Sequence, residues 1–222
     1  MSTENLSAVE IIKINSDGLR GTLKESITLD NHTGNVREGD EALVKFHGMY
    51  VQDDRDRREE RAAKKLDKLY SFMIRLRIPG GIIDADKWLA IHDTSEEYGT
   101  GVIKITTRQT VQLHGVLKHQ LRPTLQSFDR AKLDSIAACG DVNRNVIVSS
   151  HPLVSPIHQQ IHAYADKLSQ AILSVLAKFT SYSAIHETSS NRTTVFSPSF
   201  ISFASRLNAL SQLSGTVVSA LL

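Results

Sequence analysis

The chain has 222 residues, 41% of them hydrophobic and 23% charged, with a formal net charge of +2. This is enough apolar material for one or two globular cores, and so small a charge gives no electrostatic reason to bind nucleic acid or a membrane surface. No run of about eighteen apolar residues is present, so no transmembrane helix is expected. The start, Met1 to Asn5, lacks the regions of a secretion signal. A single cysteine excludes an internal disulfide and fits a reducing, cytoplasmic setting.

Residues 1–40 are polar and read as an irregular N-terminal arm; residues 41–53 read as extended. From Asp54 to Leu69 charges of both signs crowd together, among them Arg55, Asp56, Arg57, Arg58, Glu59, Glu60 and Arg61. Alternating signs at helical spacing predict a solvated helix. The interspersed acids, with no aromatic residue before Tyr70, argue against a nucleic-acid surface.

In the stretch Phe72 to Pro79 apolar residues recur at every second position. Phe72, Ile74, Leu76 and Ile78 form one face and Arg75 and Arg77 the other, and Gly80-Gly81 ends the strand in a turn. Asp84 or Asp86 is placed to cap a helix through Trp88 and Ile91 to about Tyr98.

Lys104 to His114 reads as one strand with two unlike faces. Lys104, Thr106, Arg108, Thr110, Gln112 and His114 occupy one side, with no carboxylate among them; Ile103, Ile105, Val111 and Leu113 occupy the other. Paired with the preceding strand, it would gather Arg75, Arg77, Lys104 and Arg108 on one side of a sheet. Such a row suits a large fixed anion, because arginine binds carboxylates and oxyanions bidentately and keeps its charge when partly buried. A plain solvated basic face is the competing reading.

Leu121 to Ala138 is a predicted helix with Pro123 in its first turn and Leu125, Phe128, Leu133 and Ile136 as its apolar stripe. Val146 to Ser149 is a predicted short strand. His158 to Leu176 is a predicted amphipathic helix, with Pro156 near its start and Ile161, Leu168, Ile172, Leu173 and Leu176 apolar. Strand, helix, strand, helix in this order fits an α+β ferredoxin-like half domain. Cys139 reads as a small buried residue, since one thiolate cannot hold a 4Fe–4S cluster. His158 and His162 stand one turn apart without a third ligand, so no metal site is expected. From Thr188 onward the only charges are Arg192 and Arg206.

Four motifs follow one another: Phe46 to Asp56, Arg75 to Gly81, Thr107 to Gly115 and Gly140 to Val146. Together they resemble the N-terminal part of the haemoprotein (β) subunit of assimilatory sulfite reductases, over roughly residues 16–175. Met49 and Asp53-Asp54 resemble the NADPH-dependent enzymes in particular. The resemblance implies an arm over 1–40, with Leu19 to Thr22 wrapping the body. It implies a ferredoxin-like half domain of the nitrite/sulfite reductase type over 41–118, then the start of the sirohaem-binding domain over 119–176. Residues 177–222 are an unmatched tail, expected to come from a frameshift, a retained intron or a mispredicted gene end.

That family reduces sulfite to sulfide with six electrons, in sulfate assimilation, on a sirohaem bridged to a 4Fe–4S cluster. Sirohaem is fringed with eight carboxylates, which would explain the carboxylate-free face. Carried over by motif, Arg75, Lys104, Thr106, Arg108, Gln112, His114, Asn143 and Arg144 are expected to hold the cofactor, and Arg75 and Arg144 to contact sulfite. The family usually has arginine where Lys104 stands, so the planar fork is lost there. A flavoprotein subunit drawing on NADPH is the implied electron donor. The family's cluster cysteines and its Lys-x-Lys pair do not occur in these 222 residues, so the chain alone is expected to be inactive. The alternatives are a non-catalytic fragment or anion-binding interaction module, and a piece of a sirohaem nitrite reductase.

Overall fold

The alternating stretch around Ile74 becomes a central strand of a four-stranded antiparallel sheet in the computed structural model, which describes residues 7–29, 32–136, 145–149, 151 and 153–177. All of these belong to the unit Met1–His186. The strands are β1 (Met49–Asp53), β2 (Tyr70–Arg75), β3 (Ile103–Ile105) and β4 (Val111–Val116), in the order β1-β2-β4-β3. The unit β2, α5 (Ala85–Tyr98), β3, β4, α6 (Leu121–Arg130) is a split strand–helix–strand arrangement, and its outer strand beside β2 is supplied by β1 from upstream in the chain. This is the expected ferredoxin-like α+β plan.

Phe72, Ile74, Val111, Leu113 and Val116 point to one side of the sheet and are buried with Ile91 of α5 and Leu121, Leu125 and Phe128 of α6. Asp84 caps α5 by accepting the Lys87 amide at 2.8 Å, as expected.

The expected single strand from Lys104 to His114 is instead two strands joined by a turn. Lys104 lies opposite Gln112 and Ile105 opposite Val111, and the Thr106 amide donates to the Thr110 carbonyl at 2.8 Å. The reason is visible in the residues: Thr107 and Gln109, on the nominally apolar side, are polar, so no apolar face continues from Ile105 to Val111, and Thr110 is buried with its hydroxyl donating to the Leu76 carbonyl. Gln109 turns the chain with φ of 54°.

Other expectations are corrected in the same way. The N-terminal arm contains α1 (Ala8–Ile14) and α2 (Leu23–Thr28), and the first part of the supposedly extended 41–53 is α3 (Asp40–Phe46). Leu19, Leu23, Ile27, Leu43, Val44 and Phe46 join the main core, which gives these short helices the packing their length alone would not. Buried Asp40 ties α3 to the arm, accepting the Thr22 amide at 3.1 Å and its hydroxyl at 2.8 Å. The charged helix shrinks to α4 (Arg58–Ala63), because Lys65 adopts φ of 53°.

The helix expected to run to Ala138 ends at Arg130. Lys132 has φ of 58°, and Asp134 forms a bridge with Arg77, so Leu133 and Ile136 are buried from outside a helix. Helix α7 (Pro156–Ala177) forms where expected, but its inner face is different. Ala165, Ser169 and Ala171 are buried, whereas Ile161 and Leu168 are 37% and 44% exposed. Small residues let the helix approach the Pro79–Gly81 turn closely, where His162 packs on Gly80. Cys139, Asn143, Arg144 and the tail from 178 onward lie outside the described residues.

Candidate functional site

The sheet face opposite the core carries the cationic row. The turn of residues 106–110 has an odd length, so Lys104 and Gln112 stay on one face although the chain reverses between them. Gln112 lies opposite Lys104 on one side and Arg75 on the other, so three strands line up one polar row. Directly opposed residues in such a sheet have Cβ atoms about 4.5–5.5 Å apart. Gly48 closes the row's far end, its carbonyl accepting the Arg75 amide at 2.9 Å.

A directional hydrogen-bond chain crosses this face. With its amide oxygen turned to Arg75, Gln112 accepts from Nη2 at 2.6 Å and from Nε at 2.9 Å, and its amide nitrogen donates to His114 Nε2 at 3.3 Å. His114 Nε2 is then an acceptor, which leaves the proton on Nδ1, donated to Gln52 Oε1 at 3.1 Å. Burial, then the nearby Lys104 and Arg75 charges, hold the His114 pKa below its ordinary value. The same geometry and the same charges thus favour a neutral imidazole. The Arg75 guanidinium also sits over the Tyr50 ring, 6.0 Å from its centroid.

Lys104 and Arg108 are exposed, and among the described residues neither cation is in an ion pair. Thr106 is half-buried, and its hydroxyl accepts the Arg108 amide at 3.2 Å, bracing the turn. The structure therefore brings together Arg75, Lys104, Gln112 and His114, with Thr106 and Arg108 on the adjoining turn; Asn143 and Arg144 lie outside the described residues.

Arg77 does not join the row. Its Nη2 pairs with Asp134 at 2.7 Å and its Nη1 donates to Ser169 at 2.6 Å, with only 9% of the side chain exposed. It fastens the end of β2 to α7. The expected strand at Val146 to Ser149 is absent: its backbone is held partly by side chains rather than by a strand ladder. Val148 bonds in both directions with the Gln109 amide, and the Val146 carbonyl accepts the Gly80 amide at 2.9 Å. Residues missed by sequence reasoning are Gln52, Gln109 and Asn145; only Gln52 carried a signal, through its alternation with Tyr50 on β1.

His158 and His162 are engaged separately, with Ser155 Oγ and the Ser149 carbonyl, each at 2.7 Å. Among the described residues no three His, Cys, Asp or Glu side chains are grouped to hold a metal ion. No described helix is long and apolar enough to cross a membrane.

Residues 64–131 match the model of the nitrite/sulfite reductase ferredoxin-like half domain. Over 171 residues the chain is 57% identical to a protein of Leptospira biflexa named sulfite reductase (NADPH) hemoprotein beta-component, covering 77% of this chain and 31% of that one. The chain carries the ferredoxin-like half domain of the nitrite/sulfite reductases. Proteins with the same name in Chromohalobacter salexigens and Bacillus subtilis are 50% and 49% identical over 173 and 167 residues, covering 78% and 75% of this chain and 30% and 29% of theirs. The chain thus spans about three tenths of these relatives, their N-terminal part. Among solved structures, the NirA protein of Mycobacterium tuberculosis aligns with a TM-score of 0.58 and 22% identity, over 79% of this chain and 32% of that one. At that identity the likeness concerns the fold, and it agrees with the half-domain architecture.

Proposed function

We propose that the sheet face of Arg75, Lys104, Gln112 and His114, with Thr106 and Arg108 beside it, binds the carboxylate fringe of sirohaem, as part of a subunit that reduces sulfite to sulfide. The observation that carries this reading is the absence of any carboxylate from a row of cations and amide donors drawn from three strands. An imidazole held neutral between Lys104 and Arg75 is what such a row requires before the anion arrives, since a third adjacent cation would be repelled.

The residues fit the group chemically. Lys104 and Arg108 supply charge, while Gln112 fixes the Arg75 fork and passes its orientation to His114. When bound, sirohaem with its 4Fe–4S cluster would supply the electrons for breaking the S–O bonds. The chain's own contribution is electrostatic. Arg75 and Arg144 would bind the sulfite oxyanion and lower the energy of charge developing on the departing oxygen. The relatives' printed name, sulfite reductase (NADPH) hemoprotein beta-component, supports sulfite over nitrite as substrate and NADPH as the source of electrons. A flavoprotein donor subunit and a cytoplasmic place in sulfate assimilation belong to the same proposal. With one cysteine in 222 residues, this chain offers too few thiolates for a 4Fe–4S cluster, which takes about four. Sulfite turnover by the chain alone is therefore not expected.

The test is titration of the 222-residue chain with uroporphyrin, an octacarboxylate porphyrin, followed by visible absorption at low salt. Saturable binding that weakens with salt is expected, with Arg75→Ala and Lys104→Ala each lowering affinity about tenfold. The distant Lys64→Ala should change nothing. Equal affinity in all four proteins would overturn the reading.

A further inference from the structure

Two side-chain amides fasten residues 145–149 to the rest of the fold. Asn145 Nδ2 donates to the carbonyls of Ile78 and Arg108, each at 2.8 Å, and its Oδ1 accepts the Ile78 amide at 3.2 Å. Gln109 does the same for Val148: its Nε2 donates to the Val148 carbonyl at 2.6 Å and its Oε1 accepts the Val148 amide at 3.0 Å. Each amide thus reproduces the two bonds that a neighbouring strand residue would make.

A primary amide offers two donors and an acceptor on separate atoms of one planar arm, so it can face a backbone carbonyl and a backbone amide together. A carboxylate at 145 would point acceptors at the Ile78 and Arg108 carbonyls. The clamp also has a made-to-fit neighbour. Gly81, with φ of 70°, lies so close that a Cβ there would come within 2.8 Å of the Gln109 Cβ. Gln109 itself holds a left-handed φ of 54°, which aims its side chain at Val148 rather than along the β3–β4 turn.

We infer that Asn145 and Gln109 are positioning residues that act through Arg108. By bonding the Arg108 carbonyl and the residue after it to Ile78 and Val148, they hold the β3–β4 turn at a fixed place beside the cationic row. Neither side chain is itself a ligand of the anion. The inference rests on the polyanion reading above for what Arg108 meets, and on the hydrogen bonds alone for the clamp.

The test is a double-mutant cycle in the 222-residue chain, with uroporphyrin as probe. Asn145→Ala and Arg108→Ala are each expected to lower affinity about tenfold. The double variant should bind no more weakly than Arg108→Ala, because removing Arg108 removes what Asn145 positions. Additive losses, or an unchanged affinity in Asn145→Ala, would overturn the role. Hydrogen exchange at the Ile78 and Val148 amides reads the clamp without any ligand. Faster exchange at Ile78 in Asn145→Ala, and at Val148 in Gln109→Ala, is expected; unchanged exchange sinks the clamp even if porphyrin binds. Should the alanine variants unfold, Asn145→Asp and Gln109→Glu remove the donors and keep the size. Failure of the wild-type chain to bind uroporphyrin, with the exchange result intact, would remove the role toward the anion and locate the fault in the polyanion reading.

Discussion

His114 is where sequence pattern and electrostatics meet. Alternation puts it on the cationic face, but its protonation depends on Lys104 and Arg75 and on the Gln112–His114–Gln52 bonds. The folded pKa lies below the ordinary 6.5, so between the two values the unfolded chain binds more protons. The stabilising contribution is therefore complete above about pH 6.5 and is lost as pH falls toward the lowered folded value. An NMR titration of the His114 ring should give a midpoint below 6.5, and Lys104→Gln should move it upward. A midpoint that ignores Lys104 would refute the electrostatic account. Arg77 makes the opposite point. It shares parity with Arg75, yet Asp134 and Ser169 claim it, because partners brought close by the fold outrank strand alternation.

At the scale of elements, the Phe72–Ile78 alternation and a helix cap at Asp84 or Asp86 were legible, since both signals are local and strong, and the structure selects Asp84. The junction from α3 to β1 was not. Gly48 has φ of 79°, and a Cβ there would meet the Ser135 carbonyl oxygen at 2.0 Å and the Arg75 oxygen at 3.0 Å, both backbone atoms. Gly48→Ala should therefore destabilise the chain by about 3 kcal/mol, the strain and the clash adding. Urea unfolding measures it, and a loss no larger than an ordinary surface change would contradict the packing described. The β3–β4 turn was misread as strand because its alternation of polar residues is compatible with either. Only the missing apolar residues at 107 and 109 distinguish the two, and they do so once burial is considered.

Across the whole molecule, α7 shows why amphipathicity alone misassigns a face. Its large apolar residues Ile157, Ile161, Tyr164 and Leu168 are exposed, and its small ones are buried against the rest of the fold. Ile161→Gln and Leu168→Gln should each alter stability by no more than about 0.5 kcal/mol. Ala165→Leu, by contrast, should cost about 1–3 kcal/mol through overpacking. Denaturant titration of the three variants orders them, and a costly Ile161→Gln would place the wrong face inward. The amino-acid order by itself determined the α+β class, the helix cap at Asp84 or Asp86, and the parity that keeps Lys104, Gln112 and Arg75 on one side of a sheet, because these follow from backbone geometry repeated over a few residues. Only the tertiary structure decided that Arg77 belongs to Asp134, that His114 is bonded to Gln52 with its pKa held below the ordinary value, and that Asn145 and Gln109 replace a strand. Those outcomes depend on contacts between segments distant in sequence, which no local period encodes.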